Sequence, residues 1–560
     1  MAATITVKRN ANAILPAWAP YTISSFQYPE HVEVDNDEVQ ILDGTILPDG
    51  EGFGFRMEPP SVSFKVYRAM VNHGLSDVAN QVLRTKKRSF ITPNAIWNGV
   101  LKFAGKPPKR MTGSEYSAAL ESIRAELRVN EKIIPYTMDE GVKTLPQNTS
   151  PGLPFITRAK GMKKGAVYEK YARGFKNHWN RVGKGLPTAP LPDCAAFARS
   201  HISSPDVNKV RPVWAYPMMA VCEESRFAAP LIKELTNQRV GLHTAYGCEM
   251  MKGGMTWING HCTVASARYP GTRYLMTDYS GFDSTVPAWI IRDIFNVLEQ
   301  KMDFSKVTDG VNTFDVNPEE ERRKFRKLVS YFINTTIQNC DGRRFQKAHG
   351  VPSGSMFTNI IDTFVNMLLS RVLVTVCSQC EPVFDVYFGD DGLIAIPPEG
   401  LIDMRKYRAA AKELFGMVLN AKKSYFTTTI SNVHFLGYYN YYGSPYKQSA
   451  EMIASMLYPQ YLKDDWAYCV SRALGCALAS AGMSTDVYLA SQAVYLFATR
   501  RERKFEEGME LMLHNPRIRR HLIQMGCGDI PLNEKYFRDI NSLVPRLDCQ
   551  KLVSGIQLVK

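Results

Sequence analysis

Apolar and polar positions alternate along the 560-residue chain in a pattern that changes character twice. The first sixty residues carry short β-type runs broken by Pro and Gly, with an acidic stretch from Glu30 to Glu38, and read as an extended arm lying over a larger body. Further on, Thr112 and Glu115 have capping-box spacing ahead of Leu120, Ile123 and Leu127, which fall on one face of a predicted helix. From about Tyr274 to Leu436, short β-rich runs ending in aspartates alternate with helical runs, the pattern of an α+β sheet domain. Beyond Ala450 the amphipathic stretches Leu462 to Ala481 and Asp486 to Arg503 predict a helical C-terminal region. No internal repeat or low-complexity tract interrupts this order.

The length exceeds what one hydrophobic core organises, so several subdomains are expected. With 45% apolar and 22% charged residues the chain is expected to be largely ordered. Lys and Arg outnumber Asp and Glu by 68 to 54, and the net charge of +14 favours an anionic partner, nucleic acid or an acidic membrane surface, although such a surplus also serves solubility alone. Basic clusters at Lys86-Lys87-Arg88, Lys109-Arg110 and Lys160 to Lys164 each read singly as a solvated face. Eleven Cys, an odd number without a dense framework, suggest reduced thiols, with Cys377 and Cys380 as core cysteines. Lys8 and Arg9 precede a short apolar run broken by Pro16 and Pro20, unlike a signal peptide, and no uninterrupted apolar run reaches the roughly 18 residues of a membrane span. A soluble, cytoplasmic chain is the expectation.

Three constellations carry candidate chemistry. The run Tyr274-Leu275-Met276-Thr277-Asp278 ends an apolar strand on a carboxylate, with Asp283 five positions on, for which helix capping is the plainer reading. Val383 to Ile396 is two apolar runs joined by Gly389-Asp390-Asp391-Gly392, a β-hairpin signal in which the glycines supply positive φ, and a structural Asp-Gly turn is its plainer reading. Between them, Ser353-Gly354-Ser355-Met356-Phe357-Thr358 runs into a helix on which Thr358, Asp362 and Asn366 share a face and could reach a ribose. A helix N-terminal motif would also explain that serine and glycine. Asp278 and Asp390, if they converge, suffice to hold a pair of Mg²⁺ ions, which prefer oxygen ligands and keep few protein carboxylates. Such a pair suits in-line nucleotidyl transfer.

In this order, D-x4-D, S-G-x3-T and G-D-D closely resemble motifs A, B and C of viral RNA-dependent RNA polymerases, most like those of the partitiviruses, with picobirnaviruses second. Thr149-Ser150-Pro151-Gly152-Leu153-Pro154 is similar to the template-entry motif G, and Lys209-Val210-Arg211-Pro212-Val213 to motif F. Leu419 to Ser424 looks like motif D, where Lys423 is preferred over Lys422 as proton donor to pyrophosphate, and His434-Phe435-Leu436-Gly437 looks like motif E. The resemblance implies metal binding by Asp278, Asp390 and Asp391, with two Mg²⁺ ions and Mn²⁺ able to substitute. It implies NTP contacts by Lys209, Arg211, Asp283, Ser353, Gly354, Thr358 and Asp362, and template contacts by Ser150, Gly152, Lys160, Lys163 and Lys164. One departure is Asp362, where many positive-strand enzymes carry an asparagine that reads the ribose 2′-hydroxyl; a carboxylate can still accept a hydrogen bond from that group.

The implied architecture is a right-hand α+β fold. Residues 1–75 form an arm bridging fingers and thumb, 76–213 the fingers, 214–294 and 349–446 the palm, 295–348 a finger insertion, and 447–560 a helical thumb. The implied partners are RNA template and product, NTPs and the interior of a viral capsid, in a double-stranded RNA virion and the host cytoplasm. A reverse transcriptase, or a non-enzymatic RNA-binding capsid-associated protein, are the rival readings.

Overall fold

The computed structural model describes residues 43–552 apart from 56–58, 128–131, 238–242, 461–464, 503–504, 516–518, 520–521, 524–526, 529–531 and 545. The acidic stretch and most of the expected arm lie outside the described residues. What is described is a mixed helix-and-sheet architecture built around two separate sheets.

The central sheet has four antiparallel strands in the order Phe384–Phe388, Asp391–Ile396, Arg273–Thr277 and Tyr425–Thr427. Apart from Arg273, Asp385 and Asp391, the first three strands are largely apolar and buried on both faces, and their period of two sorts the side chains between two cores. Leu275, Tyr387, Ile394 and Ile396 face one core, together with the central helix Thr358–Ser378. Tyr274, Met276, Val386, Leu393 and Ala395 face the other, which they share with the C-terminal helices. By length and composition the central helix is the one helix among the described residues that could cross a membrane, yet most of its apolar stretch is buried inside the protein. It is a core helix covered over most of its surface, with Asp362, Thr363, Asn366 and Ser370 buried among its apolar residues.

A second sheet of five strands runs Gly44–Leu47, Arg344–Lys347, Thr336–Gln338, Cys194–Ser200 and Val210–Ala215. The pairing of Cys194–Ser200 with Thr336–Gln338 is parallel and the others are antiparallel. Residues near the start of the described chain thus form one edge of a sheet whose other members lie 150 to 300 positions away. The next two helices, Phe64–Asn72 and Ser76–Thr85, instead bury Val66, Met70 and Val82 in the core of the C-terminal helices Ser449–Leu457, Trp466–Ala479 and Thr485–Phe497.

Two of the basic clusters are not simple solvated faces. Arg88 is half-buried and crosslinks distant segments, donating through Nε to the carbonyl of Tyr458 at 2.7 Å and through Nη1 to that of Ser200 at 3.1 Å. Arg110 donates through Nη2 to both carboxylate oxygens of Asp293 at 2.8 and 3.1 Å and lies over the Trp289 ring. The capping box at Thr112 is not made: the helix is Ser114–Glu126 with Gly113 at its N-cap, and Tyr116, Ala119 and Ile123 form its buried face. The tertiary anchor of Tyr116, whose hydroxyl donates to Asp293 at 2.7 Å, sets that register in place of the local cap. Leu120 is half-buried, and Ile123 and Leu127 are buried as expected. All eleven cysteines are free thiols, Cys377 buried and Cys380 half-buried.

Candidate active site

Asp278 directly follows the strand Arg273–Thr277, at the open end of the central sheet. The turn Asn420–Ser424 is laced to its backbone. Asn420 N–H donates to the Asp278 carbonyl at 2.8 Å, while the Ser424 hydroxyl accepts from Asp278 N–H at 3.0 Å and donates to its carbonyl at 3.1 Å. This lacing brings the Lys423 ammonium to 3.4 Å from the Asp278 carboxylate; both Lys422 and Lys423 are exposed, and it is Lys423 that reaches that carboxylate.

The hairpin pairs Phe388 with Asp391, so Gly389 and Asp390 are the two turn residues. Gly389 has φ of +61° and is the only one of the pair with positive φ, the pattern of a type II′ turn that favours glycine first. Gly392 is an ordinary strand residue paired with Thr277, not the second turn glycine the sequence suggests. That pairing places Asp391 directly across from Asp278. Two buried side chains of the central helix hold the turn: the Thr363 hydroxyl accepts from Gly389 N–H at 2.9 Å, and the Asn366 amide donates to its carbonyl at 3.1 Å. Asn366 therefore faces the hairpin and not a ribose.

Five carboxylates converge here, and three of them are shifted by burial and by the charges of their neighbours. Burial, with Asp390 and Asp278 close by, pushes the Asp391 carboxyl up to about 7 against the pull of Lys423 and Arg211. Burial and the charge of Asp390 push Asp283 up to about 6, with Arg211 opposing. Asp362 is driven well above the carboxylate range by burial, then by Asp283 and Asp390. Asp283, in the short helix Phe282–Thr285, is therefore part of the cluster and not a helix cap. Among the described residues no three His, Cys, Asp or Glu side chains already form a metal cage. An all-oxygen donor set crowded with like charge nevertheless fits a hard divalent cation that takes its remaining ligands from water and substrate phosphate.

Cations face the carboxylates. Lys209 is pushed down by burial and by the charges of Arg211 and Lys423, with Asp278 opposing. His201 beside them is lowered to about 4 by burial first and then by the charges of Arg211, Lys209, Arg88 and Arg199. Such a pocket is suited to a polyanion.

The loop Ser353–Phe357 is anchored at both ends. The Ser353 hydroxyl accepts from Trp214 N–H at 3.1 Å, and Gly354 lies so close to Trp214 that a Cβ there would come within 1.9 Å of its carbonyl oxygen. Thr358 donates its hydroxyl to the carbonyls of Pro352 and Ser355 at 2.5 and 2.9 Å, leaving only its lone pairs for another partner. Asp362 is buried, and its Oδ1 has no hydrogen-bond partner. Nearby, the Ser150 hydroxyl accepts from Gly152 N–H at 3.3 Å and the Pro151 carbonyl from Met218 N–H at 2.8 Å, seating that loop two residues from Tyr216. Lys164 opens the helix Lys164–Gly183, while Lys160 and Lys163 are exposed on the stretch leading into it.

The structure thus gathers Asp278, Asp283, Asp362, Asp390 and Asp391 with Lys209, Arg211 and Lys423, and leaves Lys160 and Lys163 on the surface. Sequence reasoning missed Glu224, whose signal was the polar run Glu223-Glu224-Ser225-Arg226 set between the apolar runs Met218 to Cys222 and Phe227 to Leu231.

Comparison with known proteins places this site within a wider likeness. The family model for viral RNA-dependent RNA polymerase matches residues 103–451. The chain is 27% identical over 301 residues to the RNA-directed RNA polymerase of Cryptosporidium parvum virus 1 (strain KSU-1), covering 52% of this chain and 52% of that one. It is also 27% identical over 352 residues to the RNA-directed RNA polymerase of Atkinsonella hypoxylon virus (isolate 2H), covering 56% of this chain and 51% of the relative. The chain spans about half the length of the curated relatives it matches.

Proposed function

Because the chain belongs to the viral RNA-dependent RNA polymerases, we propose that it extends RNA on an RNA template by nucleotidyl transfer from NTPs. The observation that carries this reading is the pairing of Gly392 with Thr277, which sets the hairpin carboxylates beside Asp278 within reach of Lys423.

Two Mg²⁺ ions, held by Asp278, Asp390 and Asp391, would neutralise charge on the triphosphate and activate the 3′-hydroxyl. The protein's own groups do the rest. Lys209 and Arg211 bind the triphosphate, which needs fixed cations. Lys423 protonates the departing pyrophosphate as general acid. Asp283 and Asp362, with Ser353, Gly354 and Thr358 lining the loop, read the ribose. Ser150, Gly152, Lys160, Lys163 and Lys164 guide template phosphates, a salt-sensitive contact.

The surrounding architecture is proposed to be a right hand, with the central sheet as palm and the C-terminal helices as thumb. The packing of residues 64–85 on those helices, and the Arg88 contacts to Ser200 and Tyr458, support an N-terminal segment that bridges fingers and thumb. The resemblance to partitivirus enzymes adds a double-stranded RNA virus as the source and a capsid interior as the working environment.

The test is incorporation of labelled NTPs on single-stranded RNA with Mg²⁺, comparing the wild type with Asp390→Asn. Template-length RNA from the wild type alone, with both proteins equally folded by circular dichroism, is expected. Equal product from both would remove Asp390 from the chemistry.

A further inference from the structure

The loop that presents Ser353 and Gly354 has a second anchor that the polymerase chemistry does not use. Glu224 lies in the helix Met218–Thr236, 131 positions before Ser355, and is fully buried. Its Oε1 accepts from the Ser355 hydroxyl at 2.7 Å and its Oε2 from the Met356 backbone N–H at 2.8 Å. The Ser355 hydroxyl oxygen in turn accepts from Phe357 N–H at 3.1 Å, and the helix carrying Asp362 begins at the next residue.

A carboxylate in such a place needs a reason. Burying one costs several kcal/mol on the order of its lost hydration unless its oxygens are matched by donors, and an apolar side chain of the same size would fill the space at no such cost. Here two oxygens meet two donors of one loop. Burial pushes Glu224 up to about 7, while the Met356 and Ser355 hydrogen bonds and the charge of Lys164 pull it back. The phenols of Tyr216 and Tyr331 and the thiol of Cys194 also feel its charge, and none of them supplies a cation.

The opposite end of the loop is tied to Trp214, so the four consecutive residues Ser353 to Met356 are clamped from two sides. Their position sets where the central helix starts, and with it the placement of Thr358 and Asp362.

We propose that Glu224 is a positioning residue for nucleotide selection, which clamps Ser355 and Met356 so that the Ser353–Thr358 loop and Asp362 meet the incoming NTP in one fixed pose. The inference rests on the polymerase reading for the identity of the nucleotide. Glu224 touches no substrate itself. Loss of the clamp weakens nucleotide binding and the preference for ribose, and leaves the carboxylates that carry the chemistry in place.

The test compares the wild type with Glu224→Gln, which keeps the shape but offers one acceptor oxygen, and with Ser355→Ala, which removes one donor and keeps the carboxylate. Hydrogen exchange at the Met356 amide reads the clamp with no nucleotide present, and titration with a fluorescent NTP or dNTP reads its consequence without turnover. Both variants are expected to speed Met356 exchange and weaken NTP binding by about tenfold, to narrow the NTP over dNTP ratio, and in turnover to raise KM with kcat nearly unchanged. The double variant is expected to lose less than the sum of the two single losses, because both changes act on the Glu224–Ser355 contact. Unchanged Met356 exchange, or faster exchange with unaltered NTP affinity and sugar preference, overturns the proposal. A wild type that binds NTPs in this titration but makes no RNA would count against the polymerase reading alone.

Discussion

The side-chain amide of Asn366 donates to the carbonyl of Gly389 at 3.1 Å, joining the middle of the most buried helix to the turn that carries Asp390. With Thr363 accepting from the N–H of the same glycine, both polar groups of one turn residue are satisfied by a single helix. A two-residue turn is thereby held as rigidly as the core beneath it.

Replacing Asn366 by Ala strands the Gly389 carbonyl in a buried place, an expected loss of about 1–3 kcal/mol. Urea denaturation measures that loss. Single-turnover kinetics should show slower chemistry with NTP affinity retained, since the displaced group is Asp390 and not the binding pocket.

The contact of Lys423 with Asp278 separates the two neighbouring lysines. Lys423→Ala is expected to lower kcat by about a hundredfold, within the range of roughly 10²–10⁴ for general acid catalysis, and Lys422→Ala to leave it nearly unchanged. Equal effects of the two would assign the proton to another donor.

Asp362 is buried with an unpartnered oxygen next to the proposed ribose position. Competition between NTPs and dNTPs should show a loss of ribose preference in Asp362→Ala. An unaltered ratio would make Asp362 a bystander in sugar recognition.

Beneath the hairpin, Asp385 is paired with Arg371 at 2.8 Å and with His243 at 2.5 Å. Burial pushes its carboxyl upward, but hydrogen bonding to His243 and the charge and hydrogen bonds of Arg371 outweigh this and hold it well below its ordinary value. Burial pushes His243 down, and its hydrogen bond and charge attraction to Asp385 raise it overall. The stability due to Asp385 is therefore present above its ordinary value of 3.8 and lost as pH falls below it. That due to His243 is present below 6.5 and lost as pH rises through its higher folded value. The network should be strongest between these limits. Asp385→Asn leaves the half-buried Arg371 with Glu126 as its remaining counter-charge and is expected to cost about 3 kcal/mol at neutral pH, with a flatter acid limb in a denaturation series.

Gly354→Ala would place a methyl group 1.9 Å from the Trp214 carbonyl oxygen, so the loop must move. Nucleotide affinity is expected to fall by at least about tenfold, equivalent to about 1.4 kcal/mol, and stability by about 1–3 kcal/mol, because Val351, Ser355, Phe357 and Trp214 around the clash are buried.

Much of the site was legible in the chain because it is local. An apolar strand ending on Asp278, a hairpin signal around Gly389 and Asp390, and a small-residue loop running into an apolar helix are each set by neighbours within a few positions, where backbone preferences and a period of two decide the outcome. The order of those elements carried the family resemblance, and the helical C-terminal region followed from its amphipathic stretches. Tertiary structure decided the rest. It chose Gly113 over Thr112 as a helix cap through Tyr116 and Asp293, and turned Asn366 from the ribose to the hairpin. It sank Glu224 beneath a loop 131 positions away and ran Arg88 across to Tyr458. The raised carboxyls of Asp283, Asp362 and Asp391 also arise only when the strands and helix meet, since each depends on burial and on charges from other segments. Local pattern determines which elements form, whereas contacts across a hundred or more residues depend on which surfaces pack together, and only the folded chain brings those surfaces into contact.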